Sequence, residues 1–527
     1  MLRLNLPFIL LLTATSPAQT AGGEYPILQK WEGGAGDFHG WDVACAGDVN
    51  ADGYSDVIVN SRKKDGTVDV YSGFDGALLY RFVDLSDYSF GYAVDGAGDC
   101  NGDGYDDLLI GSRNADNAFI YSGFDGSLIS HIDGGPGGNW FGAKVSGAGD
   151  VNNDGFDDII VAGYGDGYVY SGLDSSLLYQ VPNANWVSNG GDVDRDGFDD
   201  FLVGHTYFDH SGLNDAGIAT LHSGFDGSII FQWLGENARD RFGSVGHAGD
   251  LNMDGVPDIV VGAPGPDPPS SSFTGQAYAF SGVDGTLLHH WPGMNGGDWM
   301  GSRVSGTGDF NGDGFGDVLV SAPWADPDGK TSAGSVFLYS GADGSLLHRM
   351  DGETSNCLFG WSANAAGDCD ADGLGDLVVG AQWALGQRGT TYVFGFNEGM
   401  SATANEISVS TGGRAELHID FSEHAAGMEY RVLASRSGVG PIHYGVDIPL
   451  GYDPLLLRSI GGYYPGALEG GLHGTLDANG DAIAVIRLTA GNWQDLIGRN
   501  YHMAVVVIQN DGMPVISSIP LSFAFTQ

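Results

Sequence analysis

Seven nine-residue stretches of the chain place carboxylate or amide oxygens at positions 1, 3, 5 and 9, with glycine at position 6. The first holds Asp48, Asn50, Asp52 and Asp56; the second Asp99, Asn101, Asp103 and Asp107; the third Asp150, Asn152, Asp154 and Asp158. Asp192, Asp194, Asp196 and Asp200 form the fourth, and Asp250, Asn252, Asp254 and Asp258 the fifth. The sixth is Asp309, Asn311, Asp313 and Asp317, and the seventh Asp368, Asp370, Asp372 and Asp376. Because glycine permits a sharp turn, these oxygens converge on one point with the main-chain carbonyl of position 7. Those carbonyls belong to Tyr54, Tyr105, Phe156, Phe198, Val256, Phe315 and Leu374. An all-oxygen set of this size suits Ca²⁺ better than Mg²⁺, which demands tight octahedral geometry and keeps its waters. The 23 carboxylates at positions 1, 3, 5 and 9 repel one another unless a cation lies among them. That weighs against a set of metal-free acidic turns.

An EF-hand loop would carry a bidentate Glu at position 12, but here that position is Val or Ile in every copy, Val59 and Ile110 among them. Asp at position 9 takes the place of the missing ligand. Position 12 falls in a following apolar strand, where a carboxylate would be costly. Dockerin-type loops keep an acid at position 12 and lead into helices, so they fit no better. Identical sites in every repeat read as structural, since a catalytic metal occurs once with an open coordination position. The same reasoning excludes the paired aspartates as glycosidase acids. We therefore expect up to seven structural Ca²⁺ ions.

The elements around the loops also repeat, at start-to-start spacings of 51, 51, 42, 58, 59 and 59 residues. Most loops follow a Phe-Gly-x-x-Val-x-Gly-Ala-Gly-like run, as in Phe141–Gly149 and Phe242–Gly249. After each comes an apolar triplet such as Val57-Ile58-Val59, then a variable loop and an alternating strand such as 68–72. An Asp-Gly hairpin such as Asp75-Gly76 leads into a fourth strand. Strands that are apolar on consecutive positions are buried on both faces. Four of them in each repeat fit a propeller blade stacked between two others. The fourth-strand pattern occurs only six times, near Ser72, Ser122, Ser171, Ser223, Ser281 and Ser340. Residues 25–32, "YPILQKWE", resemble the missing copy and are expected to complete the seventh blade, which leaves no open edge.

Phe-Gly, then Gly-Ala-Gly-Asp-x-Asn-x-Asp-Gly-x-x-Asp, then Val-Gly-Ala-Pro, resembles the FG-GAP repeat of integrin α-subunit propellers and their bacterial relatives. Unit five carries it most fully in Phe242-Gly243, Gly249–Asp258 and Val261-Gly262-Ala263-Pro264. Units one to four depart from the Gly-Ala-Pro part, and unit four lacks the Phe-Gly pair. The resemblance implies a seven-bladed propeller with structural Ca²⁺ loops on one face. It also implies a protein or glycan ligand, as for an adhesion or carbohydrate-binding module.

Strand order puts the acidic loops and Asp-Gly hairpins on one face and the variable loops on the other. Tyr88, Arg239, Arg241, Trp324 and Trp383 are the candidates for ligand contact there, since aromatic and Arg residues are favoured binding anchors. Trp140, Trp186 and Trp299 lie in or beside the Phe-Gly slot and are expected to pack between blades.

A net charge of −46 argues against nucleic-acid partners, which require a basic footprint. Residues 1–21 read as a secretory signal, with Arg3, an apolar run at 4–12 and small residues before a cleavage site after Ala18. No later run is long enough to span a bilayer, so we expect a secreted or cell-surface protein with no transmembrane segment. Cys45, Cys100, Cys357 and Cys369 allow three disulfide pairings or none. The propeller is assigned to residues 22–397. Residues 401–527 lose the repeat and show short alternating runs that suggest a β-sandwich. In that region Asp477 to Asp481 looks like half an acidic loop but reads better as an Asn-Gly hairpin turn. No nucleophile elbow, zinc-protease motif or phosphate loop is present in the sequence. The sequence thus favours a non-enzymatic binding module, the alternatives being a polysaccharide lyase or hydrolase on a propeller scaffold and a structural surface protein.

Overall fold

The structure is a computed structural model. It describes residues 27–395 apart from 63–65, 86, 88, 136–137, 266–272, 312 and 372, together with the backbone of strands between 399 and 526. The expected secretory signal, Tyr88 and Asp372 lie outside the described residues. The chain is nearly all β, and its main body is a seven-bladed propeller of four-stranded antiparallel sheets. The first blade shows the plan, running His39–Gly47, Asp56–Ser61, Thr67–Tyr71 and Leu78–Val83 from the axis outward. The seventh blade takes Phe359–Gly367, Asp376–Ala381 and Thr390–Phe394 from one end of the propeller and Ile27–Glu32 from the other. Trp31 faces Thr391 in that last ladder.

The second strand of each blade is apolar because it has neighbours on both faces. Asp56–Ser61, Asp107–Ser112 and Asp258–Ala263 are buried throughout. Position 12 of every acidic loop lies in these strands, which is why it carries no acid.

The Phe of the Phe-Gly pair wedges between its own blade and the preceding one. Phe141 packs with Leu109 and Ile120 of blade two and with Ile159 and Val161 of blade three. Gly142 follows at φ +81°, and a Cβ there would lie 2.3 Å from the Asn117 carbonyl oxygen, so only glycine fits. Blade four lacks this pair. There Asn185 exchanges hydrogen bonds with Thr206, donating from Nδ2 at 3.0 Å and accepting its N–H at 3.1 Å.

Beyond the propeller, Gly399–Ala402, Gly413–Asp420 and Asp481–Leu488 pair in one sheet. A second sheet is built on Asn500–Ile508, flanked by Glu429–Ser435 and Leu521–Thr526. None of the four cysteines is disulfide-bonded, and Cys100, Cys357 and Cys369 are buried. No helix among the described residues is long and apolar enough to cross a membrane.

Candidate functional site

Each acidic loop joins the innermost strand of its blade to the second strand, so the seven loops gather around the axis on one face. Position 6 adopts a φ of +79° to +91° in all seven copies, a conformation that glycine reaches at no steric cost. The turn then folds back on the first carboxylate. Asp48 accepts the N–H groups of Asp52 at 3.0 Å and Gly53 at 2.9 Å, and Asp150 accepts those of Asp154 and Gly155 at 2.9 and 2.8 Å.

The position-9 carboxylate is fully buried in all seven blades. One oxygen of Asp56 accepts the Val49 N–H at 3.1 Å and the other accepts the Gly73 N–H at 3.1 Å. Gly224, Gly282 and Gly341 make the matching bond to Asp200, Asp258 and Asp317. Position 9 therefore ties its loop to the end of the third strand as well as facing the turn. Burial pushes Asp56, Asp107, Asp158, Asp200 and Asp317 up to about 7 and Asp258 to about 6. The backbone N–H bonds oppose that rise, and neighbouring loop carboxylates add to it.

These features fit a hard cation. Carboxylate oxygens of Asp192, Asp194 and Asp200 lie within 4.8 Å of one another, as do those of Asp368, Asp370 and Asp376. In the third loop Asn152 Oδ1 is buried with no hydrogen-bond partner. The donors are all oxygens, with no sulfur or imidazole among them.

Position 8 has a role that its sequence did not disclose. Asp106 accepts the Asp48 N–H of the preceding blade at 2.8 Å, Asp157 that of Asp99 at 2.8 Å, and Asp199 that of Asp150 at 2.9 Å. Ser55 accepts the Asp368 N–H at 3.2 Å and links the seventh loop to the first. Where position 8 is Gly316 or Gly375, a main-chain N–H donates instead to the carbonyl of Asp250 or Asp309. Pro257 has no N–H to give, and at that junction Arg195 reaches across to the Asp254 carbonyl at 2.9 Å. The loops thus form a hydrogen-bonded ring. Asp106→Ala would leave the partly buried Asp48 N–H without this partner and should cost about 1 kcal/mol, read as a lower urea midpoint with an unchanged slope.

The opposite face carries stacked aromatics and cations. Trp361, Trp41 and Tyr92 form a chain with ring centroids 5.4 and 6.0 Å apart. Arg62 lies 4.0 Å over Trp41, and Arg113 lies 4.2 Å over Tyr92 and 4.6 Å over Trp140. Arg241 lies over Tyr207, Phe273 and Trp299 at 5.3–5.7 Å. Trp324 is half-buried with its centroid 6.3 Å from Trp299, Trp383 is 39% exposed, and Arg239 is exposed. Trp140 corrects the sequence reading: it is not packed between blades but is 41% exposed, edge-on to Tyr164. Trp186 and Trp299 are half-buried among cations on this face.

Trp41, Tyr92 and Trp361 went unnoticed in the sequence, although each directly follows a Gly of the Phe-Gly slot. Lys144 and Arg303 were missed because nothing local marks an inner-strand cation as facing the axis.

Residues 242–280 and 300–339 match the FG-GAP repeat, and residues 99–161 match an FG-GAP-like repeat. A 182-residue stretch is 29% identical to integrin alpha-5 of Xenopus laevis, covering 31% of this chain and 17% of that protein. Integrin alpha-8 of Mus musculus is 28% identical over 185 residues, which is 32% of this chain and 17% of the relative. Phosphatidylinositol-glycan-specific phospholipase D of Rattus norvegicus is 32% identical over 224 residues, covering 37% of this chain and 25% of the relative. The matches thus span a quarter or less of each of these relatives. The repeats are FG-GAP repeats, and the propeller resembles that of integrin alpha subunits.

Proposed function

We propose that this chain is an exported, calcium-stabilised propeller that binds a protein or glycan ligand on the face opposite its acidic loops, as an adhesion or recognition module. The contrast between its two faces carries the reading. One holds seven near-identical acidic turns locked into a ring by hydrogen bonds between neighbouring blades, the pattern of a scaffold. The other holds unlike side chains from blade to blade, with large aromatics and guanidinium groups, the pattern of a binding surface.

In this reading Ca²⁺ is held by positions 1, 3, 5 and 9 of each loop and by the carbonyl of position 7. The ion supplies fixed positive charge that offsets the crowded carboxylates. The residues do the rest: position 6 turns the chain, position 9 fastens it to the third strand, and position 8 fastens it to the preceding blade in all copies but the fifth. Seven divalent ions would offset 14 negative charges and leave the chain near −32.

The resemblance to a phospholipase favours a second reading, in which the propeller serves an enzyme. A glycan and protein array probed with the intact chain, run beside turnover assays on acidic polysaccharides, separates the two. Binding lost in Trp383→Ala or Arg241→Ala with no turnover in the parent is the expected result. Turnover that those substitutions abolish would contradict the binder reading.

A further inference from the structure

The innermost strands enclose an axial channel of about 470 Å³. At the aromatic face it opens into a pocket of about 210 Å³, room for roughly seven waters at liquid density. Trp41, Tyr92, Tyr207 and Trp361 wall the pocket, and Lys144, Trp186 and Arg303 stand where pocket and channel meet. Both cations lie over the same indole: Lys144 Nζ is 4.2 Å from the Trp186 ring centroid and the Arg303 guanidinium carbon 4.7 Å.

In the pocket two cations, Lys144 and Arg303, stand against one carboxylate, Asp42, and Asp95 lines the adjoining channel. Asp42 lies 3.6 Å from Arg303 and also accepts the Ser362 hydroxyl at 3.0 Å and the Val94 N–H at 3.3 Å. Lys144 has no hydrogen-bond or ion-pair partner among the described residues. In a chain with 67 acidic and 21 basic residues, an ammonium with no direct partner, in a pocket lined by two cations and one carboxylate, marks a place that suits an incoming anion.

We propose that this channel mouth is a carboxylate-binding subsite for a uronic-acid residue of an acidic glycan, with Lys144 and Arg303 taking the carboxylate while the surrounding aromatic rings stack the sugar. The proposal rests on the binding-face reading and names its ligand class. The flat aromatic walls favour a sugar ring over an acidic peptide, whose side chains bring charge without a ring face to stack. The pocket also holds only one ring-sized group, as suits the end of a glycan chain. Burial pulls the Lys144 ammonium down to about 7, with Arg303 adding to the fall and Asp42 and Asp95 opposing it, and a ligand carboxylate in direct contact would oppose it further.

The test is calorimetric titration of the full chain, in calcium, with tetragalacturonate and with its fully methyl-esterified form. Tryptophan fluorescence, compared between the parent and Trp186→Phe, serves as a second readout. The expected result is saturable binding of the acid, weakened tenfold or more by esterification and equally by Lys144→Met. Arg303→Lys, which keeps a charge, should lose less than Arg303→Gln, and melting curves identify any variant that fails to fold. Equal binding of acid and ester, binding unchanged in folded Lys144→Met, or no binding of tetragalacturonate would each overturn the proposal. So would a tetraglutamate peptide that binds the pocket more tightly than the sugar. A neutral glycan or protein that binds in place of the acid and is lost in Trp383→Ala would end this proposal yet keep the binding face. A ligand cross-linked to the acidic loops would end both.

Discussion

Chelating calcium with EDTA is expected to lower the melting temperature of this chain by on the order of 20 °C. A ligand present at a hundred times its dissociation constant stabilises the folded state by about 2.7 kcal/mol per site. Seven such sites amount to roughly 19 kcal/mol, and a propeller of this size loses about 0.8 kcal/mol per degree near its midpoint. The effect is large because each loop brings three or four carboxylates to one turn and buries the ninth completely. Differential scanning calorimetry with and without EDTA measures it, and refilling with Ca²⁺ should restore the transition. An unchanged melting temperature would mean that the acidic turns stand without a metal.

The pH dependence of the chelated protein follows with a definite sign. Burial holds Asp56, Asp107, Asp158, Asp200, Asp258 and Asp317 at about 6 to 7 in the metal-free fold, against 3.8 for the ordinary group. The folded state therefore binds more protons than the unfolded state between these values, and stability falls as pH rises from about 4 to about 7. In EDTA the protein should melt higher at pH 5 than at pH 8. With calcium bound, the metal holds those carboxylates ionised and the difference should shrink.

Removing residues 1–32 is expected to abolish cooperative folding. That deletion takes the outer strand from the seventh blade and leaves Thr390–Phe394 as an open edge. It also strips Trp31 from Tyr71, on which it stacks at 4.4 Å, and breaks the bond from Trp31 Nε1 to the Gly76 carbonyl at 3.0 Å. These contacts join blade seven to blade one at the outer rim, so their loss weakens the seam and leaves it to inner contacts such as the Ser55–Asp368 bond. Trp31→Ala alone should cost about 3 kcal/mol, toward the low end for deleting a large aromatic because Trp31 is only half-buried. Circular dichroism melting of the truncated chain measures the first effect and urea unfolding the second. A truncated chain that melts like the parent would show that the seam carries no load.

The fold was legible because its signals are local and repeated. Glycine at position 6, the apolar run through Val59 and the Asp-Gly hairpins each state their conformation within a few residues, seven times in register or nearly so. What escaped depends on partners one blade away. Asp106 reads as one more acid in an acidic loop until Asp48, 58 residues earlier, is seen beneath it. Arg195 at position 4 gains its meaning only from Pro257 at the next junction. On the face opposite the acidic loops, Trp383 could be named from its place just past the Ala381-Gln382 corner, and Arg241 from its place in a variable loop between two blades. Trp140 could not be placed, because a bulky residue just before a Phe-Gly slot can point into the blade interface or out of it. The cluster of Lys144, Trp186 and Arg303 draws on three different blades whose inner strands meet only at the axis.

Equilibrium dialysis with radioactive calcium tests most directly whether the acidic loops are metal clips holding a scaffold. Seven ions per chain are predicted, falling to six in Asp200→Ala with tetragalacturonate binding at the opposite face retained. Uptake of none, or of a single ion whose loss abolishes ligand binding while the melting temperature stays fixed, would contradict it.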